Sequence, residues 1–566
     1  MSVRHVAFFG GAVWGHARPA LQFSITLCIK SPNLVISLLL PANLAAVANS
    51  PLEQFLSLEA PDVNVAKDVR ARIKIVAITP PEGYECPAEL AQSIARPFKD
   101  SSVAFVAYWS RIHAEPQDLP RPSMLIVDIF TDYEREQIKA INDVPILFWW
   151  SSNLNYFVFH FAPEGTGGLG PSFLKALDTI SDIGELERAQ AEVSAMQAAE
   201  DQEVSLRIAT LRQQLWSPTS DEIARVGDAP PLYQYEHACA CGPVLPGAGF
   251  LMRTSTSSVF KKVDGHIICS GPWLEPKALE ILKAQFETTL KKPIYCANLQ
   301  ISTEKGSPNF PPERLALLSP PEQGIVGFLD DALVKYGPES VLYLSWGTNF
   351  APFATPWQAD VFIDTMVENK RPFVMSQATI AAIISPGLED RIWRATQAGL
   401  CATASWIPQE AVLKHKALGA FVTHGGWNST CEAIGAAAPM IFWPFAIDQP
   451  VIASSLSEGP EPIAWQLYET RGPSVTEFRP YFFKDGPKTS ASGEHIPIPT
   501  GTPRALKAEF ERVLIREAAP GSSELKERKE RMVALRQRFI DSKQAGGECD
   551  QSISTMLTSI GCRMRT

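Results

Sequence analysis

The sequence predicts an α/β protein of two domains, each built on a parallel sheet, and three observations carry that prediction. Its 566 residues exceed what one hydrophobic core serves well. Residues 1–160 alternate short apolar runs with helical stretches, the pattern of βαβ units. A second strand–turn–helix–strand run recurs between Leu418 and Trp443. Two domains of about 200 to 300 residues each are expected, and 45% apolar residues suffice for both cores.

In chain order, His5–Phe9 (HVAFF) is a short apolar strand followed by a glycine-rich turn, Gly10 to His16. Pro19 stands behind it, where a first helical turn tolerates proline. Met124–Phe130 (MLIVDIF) is a further apolar strand, interrupted by Asp128, where an unpaired carboxylate would be costly. Asp132 reads as the residue opening the next helix. Phe148–Phe161 is dense in aromatics. Residues 164–170 (EGTGGLG) imitate a phosphate loop, yet they follow no clear strand and lack a Lys-Ser/Thr end, so they read as a plain loop. Pro171–Leu215 is charged, rich in Ala and Glu, and helical in pattern. Leu299–Glu322, with its Pro, Ser and charge, is the best linker. Residues 481–503 read as a surface loop, and Leu506–Ile540 returns to helical periodicity.

The densest chemistry lies between Trp406 and Gln449. Leu418–Thr423 (LGAFVT) suits a strand buried in a parallel sheet. His424-Gly425-Gly426 lets the backbone turn tightly. Ser429 and Glu432 read as a helix N-cap with its carboxylate three residues on. A strand, a Gly turn and a helix start make an anion site, since first-turn N–H groups and the helix dipole favour phosphate. Pro439–Trp443 (PMIFW) is the next strand, with Asp448-Gln449 directly after it. Ligands of open α/β sheets bind beyond the carboxyl ends of strands, where His424 and the Asp448-Gln449 pair would sit. Trp406 adds an aromatic plate. Singly each group has a bland structural reading; together they suit a base, a pyrophosphate and a sugar.

This segment closely resembles the nucleotide-sugar signature box of family 1 UDP-dependent glycosyltransferases, the plant secondary-product type in particular. It departs from the box mainly at Ile407 and at Gly425. The resemblance implies the GT-B fold, two Rossmann-like domains facing a cleft. It implies an acceptor-binding domain at 1–298, a linker at 299–323, a UDP-sugar domain at 324–540 and a helical tail at 541–566 that returns to the first domain. It further implies that Trp406 stacks on uracil, the Ile407 backbone reads the base edge, Gln409 lies near the ribose and Glu432 accepts from ribose hydroxyls. His424, Asn428 and Ser429 would contact the pyrophosphate; Trp427, Asp448 and Gln449 would meet the sugar. Ser340–Trp346 (SVLYLSW) with Gly347-Thr348 resembles the family's first strand of the second domain, Thr348 offering a hydroxyl to the β-phosphate. Gly324–Asp331 resembles the segment that opens that domain. Ser151 lies about where the family places a Ser or Thr near the donor sugar. His16 fits the Gly-His-x-x-Pro pattern whose His is the base, and Asp128 fits the V-x-D-x-F segment, with Asp132 the second choice. Imidazole suits a base near pH 7, and a carboxylate behind it fixes the tautomer.

The implied activity is inverting transfer of glucose from UDP-glucose to a hydroxyl of a small apolar or aromatic acceptor. Gln449 at the last box position goes with glucose, and the Phe148–Phe161 aromatics could line the acceptor pocket or simply fill the core. No cofactor or metal is expected, because no suitably placed Asp-x-Asp pair is present. A GT-B-shaped hydrolase or epimerase and a silent nucleotide-sugar-binding protein are the alternatives. A net charge of −10 argues against a nucleic-acid partner. Among ten cysteines, Cys239 and Cys241 lie beside His237 without a second half at zinc spacing. Reduced thiols in the cytoplasm are expected. Neither a signal peptide nor a membrane span is apparent, and the C-terminus lacks the anchor of animal family members. The oligomeric state is open, with a monomer expected.

Overall fold

The computed structural model describes residues 3–60, 62–86, 96–128, 132–161, 223–238, 262–302, 310–377, 387–490 and 493–565. Contacts divide the chain into two units. One comprises residues 1–218, 244–304 and 539–566; the other comprises 219–243 and 305–538.

The first unit holds a seven-stranded sheet: β1 (Arg4–Phe9), β2 (Leu34–Pro41), β3 (Ile73–Ile78), β4 (Met124–Val127), β5 (Ile146–Trp150), β6 (Gly265–Ile268) and β7 (Ile294–Cys296). Their spatial order is β3-β2-β1-β4-β5-β6-β7, and every pairing is parallel. A parallel sheet covered by helices on both faces needs strands that are apolar throughout rather than alternating. β2, β4 and β5 are buried along almost their whole length, whereas β3, at the edge, is half exposed. Between β1 and β4 the strand order reverses, which creates the switch point where such sheets bind ligands. Trp149 packs the core beneath it, stacked on Phe23 at 4.9 Å and edge-on to Phe8 at 5.3 Å. The C-terminal helix Glu548–Ser559 packs on β7, where Ser552 Oγ accepts from Cys296 N at 2.9 Å.

The second unit repeats the plan with six strands: β8 (Val341–Ser345), β9 (Phe373–Ser376), β10 (Cys401–Ala404), β11 (Leu418–Thr423), β12 (Met440–Phe442) and β13 (Ala464–Gln466). Their order, β10-β9-β8-β11-β12-β13, is again all parallel, with its switch point between β8 and β11. The core is aromatic: Trp346, Phe362, Trp443 and Phe510 are each almost wholly buried. Helix Pro320–Tyr336, which contains Gly324–Asp331, is opened by a reciprocal box between Ser319 and Glu322. Residues 223–224 and 232–233 pair as a short antiparallel ladder ahead of the 3₁₀ turn Gln234–Ala238. Although they come from the middle of the chain, they belong to this unit. Glu236 and Arg471 form a buried ion pair at 2.7 Å, and Tyr481 N donates to Glu236 Oε1.

Several expectations are corrected. Pro19 is not in a first turn: its helix runs Trp14–Lys30, so the proline lies in the second turn and forgoes one backbone bond there. Ser429 and Glu432 do not form a capping box. Helix Trp427–Ala436 starts three residues earlier than that cap would place it, with Gly426 as its N-cap, and no side chain caps it. The Thr430 hydroxyl already donates back to the Gly426 carbonyl, as only a residue inside the helix can. The described aromatics of Phe148–Phe161 are buried, with Trp150 packed on Tyr156, Phe157 and Phe161. The 481–503 stretch carries a 3₁₀ turn (Tyr481–Phe483) and a small ladder of Lys488–Thr489 with His495–Ile496. The glycine loop 164–170, the helical stretch Pro171–Leu215 and the Cys239–Cys241 pair lie outside the described residues, as does the side chain of Asp132, which opens helix Asp132–Ile141.

Candidate active site

In the first unit, the turn after β1 and the end of β4 meet at the switch point. Asp128 directly follows β4 and is 1% exposed; its N–H donates to the Phe9 carbonyl at 3.1 Å, continuing the ladder. His16 occupies the first turn of helix Trp14–Lys30, its side chain 26% exposed. Nδ1 of His16 and Oδ2 of Asp128 are 2.6 Å apart. An ionised carboxylate only accepts, so Nδ1 carries the proton and Nε2 of the neutral ring is the acceptor nitrogen. Gly11, at φ +90°, makes room for the pair: a Cβ there would overlap the Asp128 carboxylate and lie 2.6 Å from His16 Cβ. The Phe98 ring packs edge-on against the imidazole at 5.8 Å.

Ser151 follows β5 in the same unit. The turn it opens is held from behind by Glu275, which is 3% exposed. Glu275 accepts from Asn153 Nδ2, Leu154 N, Asn155 N and Ser270 Oγ, all at 2.5 to 3.0 Å. A carboxylate at the start of helix Leu154–Phe161 also suits the positive end of its dipole.

In the second unit all six strands present their carboxyl ends to one edge, and the signature groups lie along it. Gly347, at φ +76°, follows β8 with Thr348 exposed beside it. His424 directly follows β11 and is 9% exposed, its imidazole wedged between two glycines. A Cβ on Gly347 would stand 2.7 Å from the ring, and one on Gly426 would overlap Nε2. Burial lowers the His424 pKa to about 4, the nearby Ser345 carbonyl opposing this more weakly. His424 is therefore neutral at pH 7 and offers a hydrogen bond, not a charge. Asn428 and Ser429 sit half-buried in the first turn of helix Trp427–Ala436, while Trp427 itself is buried.

Past β10, Trp406 is 56% exposed, an unusual setting for an indole that could have joined the core, whereas Ile407 is buried. Gln409 opens helix Gln409–Leu413 and donates from Nε2 to Glu432 Oε2 at 2.5 Å. Past β12, Asp448 is the N-cap residue of helix Gln449–Ser457. The preceding Ile447 adopts φ +67°, a strained conformation for a β-branched residue that sets where the Asp448-Gln449 pair stands. Gln449 is 2% exposed because its Oε1 accepts from Phe445 N and Ala446 N, so it holds its own loop as well.

Thus Thr348, Trp406, Gln409, His424, Asn428, Ser429, Glu432, Asp448 and Gln449 share one sheet edge of the second unit; His16, Asp128 and Ser151 belong to the first. Sequence reasoning missed Gly11, Glu275 and Tyr343, the last a buried strand phenol bonded to Gln409 Oε1 at 3.0 Å. Only Gly11 left a local signal, a glycine pair directly after a strand. Among the described residues, no group of three or more His, Cys, Asp or Glu side chains is arranged to hold a metal, and no helix is long and apolar enough to cross a membrane.

Residues 393–471 match the family model for UDP-glucoronosyl and UDP-glucosyl transferases. A UDP-glycosyltransferase, eriJ, of Hericium erinaceus is 24% identical over 78% of this chain and 78% of its own length. The (R)-mandelonitrile beta-glucosyltransferase of Prunus dulcis is 36% identical over 20% of this chain and 23% of its own length. Among solved structures, Medicago truncatula UGT71G1 complexed with UDP-glucose superposes with a TM-score of 0.61 at 15% identity, over 99% of this chain and 98% of that one. That likeness establishes the fold, and the family-model match spans the stretch from Trp406 to Gln449. Over residues 393–471 the chain is thus similar to UDP-glycosyltransferases, and as a whole it has the GT-B fold.

Proposed function

We propose that this protein transfers glucose from UDP-glucose to a hydroxyl of a small apolar or aromatic acceptor, with inversion at the anomeric carbon. One observation carries the donor reading: the order of groups along the second sheet's carboxyl edge. Trp406 follows β10, Gly347-Thr348 follows β8, His424 follows β11 and Asp448-Gln449 follows β12. Four strand spacings separate the first from the last, about 19 Å. An extended base, ribose, diphosphate and hexose laid along the edge would meet each group in turn. Uracil stacks on Trp406, with the Ile407 backbone at its edge; Gln409 and Glu432 take the ribose. The pyrophosphate meets Gly347, Thr348, His424, Asn428 and Ser429, and the sugar meets Trp427, Asp448 and Gln449, with Ser151 as a further sugar contact. Glucose is favoured by Gln449, by the UDP-glucose in the Medicago structure and by the name of the Prunus relative.

In the reaction, the acceptor O–H gives its proton to Nε2 of His16 while its oxygen attacks the anomeric carbon. The bond from that carbon to the β-phosphate oxygen breaks, and UDP leaves from the opposite face. Asp128, already bonded to Nδ1, stabilises the imidazolium that forms. The first-turn N–H groups of helix Trp427–Ala436, with His424 and Thr348, meet the charge growing on the diphosphate, so the step needs no metal. Cysteines among the described residues are all free, which favours the cytoplasm as the working compartment.

The test is incubation with UDP-glucose and a panel of phenols, sterols and lipid alcohols. Acceptor-dependent UDP release with a β-glucoside as product supports the proposal. UDP release without acceptor would make the protein a hydrolase, and binding without turnover a sensor.

A further inference from the structure

We propose that Tyr343 is a positioning residue for the donor's ribose: its hydroxyl fixes Gln409 so that the amide and the Glu432 carboxylate read the ribose hydroxyls as one unit. The proposal rests on the reading of Gln409 and Glu432 as the ribose site.

Tyr343 lies in the middle of β8, the strand at the switch point, and is 1% exposed. Its ring is stacked on Phe421 of β11, centroids 4.8 Å apart and planes 9° from parallel. The phenol is thus held by the two central strands rather than by a loop. Its oxygen lies 3.0 Å from Gln409 Oε1. On the other side of the amide, Nε2 lies 2.5 Å from Glu432 Oε2 and 3.5 Å from Ser429 Oγ.

Donor and acceptor roles along this chain are forced. A carboxylate accepts only, so the amide turns its NH₂ toward Glu432 and its carbonyl toward the phenol, which must donate. Burial keeps the phenol protonated across the working range, and the Glu432 charge adds to that effect. Helix Gln409–Leu413 is only five residues long, a weak platform for a side chain that has to meet a hydroxyl to within a few tenths of an ångström. The rigid reference is β8. Removing the hydroxyl leaves Gln409 Oε1 without its buried donor, so the amide can swing away from the position that presents both groups to the sugar.

The consequence is specific to ribose. The test compares wild type with Tyr343→Phe on UDP-glucose and on 2′-deoxy-UDP-glucose, with kcat and KM measured separately. The substitution removes one oxygen and keeps the stack on Phe421. The expected result is a KM for UDP-glucose raised about five-fold, the worth of one hydrogen bond. KM for the deoxy donor and both kcat values should stay within about two-fold, so the ribose preference shrinks. In a cycle with Gln409→Leu, the double variant should be no worse than Gln409→Leu alone. Equal increases in both KM values, or an unchanged preference, would overturn the proposal. A wild-type enzyme with no preference between the two donors would instead overturn the ribose assignment of Gln409 and Glu432 itself.

Discussion

Gly11 and Gly347 occupy the same place in two different sheets. Each stands two residues beyond the first strand of its sheet, at φ +90° and +76°, and each abuts the residue directly after the sheet's fourth strand in chain order. Those partners, Asp128 and His424, are tied back alike: Asp128 N donates to Phe9 O, and His424 N to Ser345 O. One backbone joint is thus used twice, once to seat the Asp128 carboxylate against His16 and once to seat a neutral imidazole beside a helix start. In both, a missing Cβ is what lets the functional side chain in.

Gly11→Ala should therefore cripple transfer without touching the donor site. A methyl group here meets the Asp128 carboxylate and His16 Cβ together, and φ +90° is strained for alanine. We expect kcat to fall at least about 100-fold, as expected when a positioned base is lost. UDP affinity, measured by calorimetry, should change less than about two-fold. An active Gly11→Ala enzyme would show that the His16–Asp128 contact is dispensable.

Trp406→Ala should weaken UDP binding by about ten-fold, corresponding to about 1–2 kcal/mol of base stacking, and Trp406→Phe should recover most of it. Because Trp406 is 56% exposed, the substitution should leave Tm nearly unchanged. UDP titrations followed by tryptophan fluorescence check this, and an unaltered affinity for UDP in the alanine variant would remove Trp406 from the site.

His424 should remain neutral far below its usual range. Its folded-state pKa of about 4 lies beneath the unfolded value of 6.5. Between those values the unfolded chain binds more protons, so stability falls as pH drops from about 6.5 toward 4. Urea unfolding of wild type and His424→Gln at several pH values tests this. The wild type should lose stability more steeply on acidification; parallel curves would contradict the assignment.

Glu275→Gln should destabilise the first unit by about 2–3 kcal/mol, since a buried carboxylate with four donors loses acceptor capacity and gains an NH₂ facing N–H groups. The readout is the midpoint of thermal unfolding, with UDP affinity as the control that should not move.

Why some of this was legible and some not follows from the range of the interactions. Asp128 could be picked from sequence because a carboxylate among MLIV residues needs a partner. Strand Leu418–Thr423 was legible because burial in a parallel sheet leaves a continuous apolar run. The start of helix Trp427–Ala436 was misplaced because Ser429 and Glu432 have the spacing of a cap, while the actual cap is a glycine with no side chain to read. Glu275 and Tyr343 were invisible for another reason. Glu275 acts on residues 120 or more positions away and Tyr343 on one 66 positions away, and no local periodicity encodes such a meeting. The Phe148–Phe161 aromatics were ambiguous because core and pocket use the same side chains.

The most direct test of the central claim is a paired measurement on His16→Ala: UDP-glucose affinity by calorimetry and acceptor-dependent UDP release at saturating donor. With His16 as the base and the UDP part of the donor held by the second unit's sheet edge, release should fall by about 10²–10⁴-fold while affinity stays within about two-fold. Release at a near wild-type rate would contradict it.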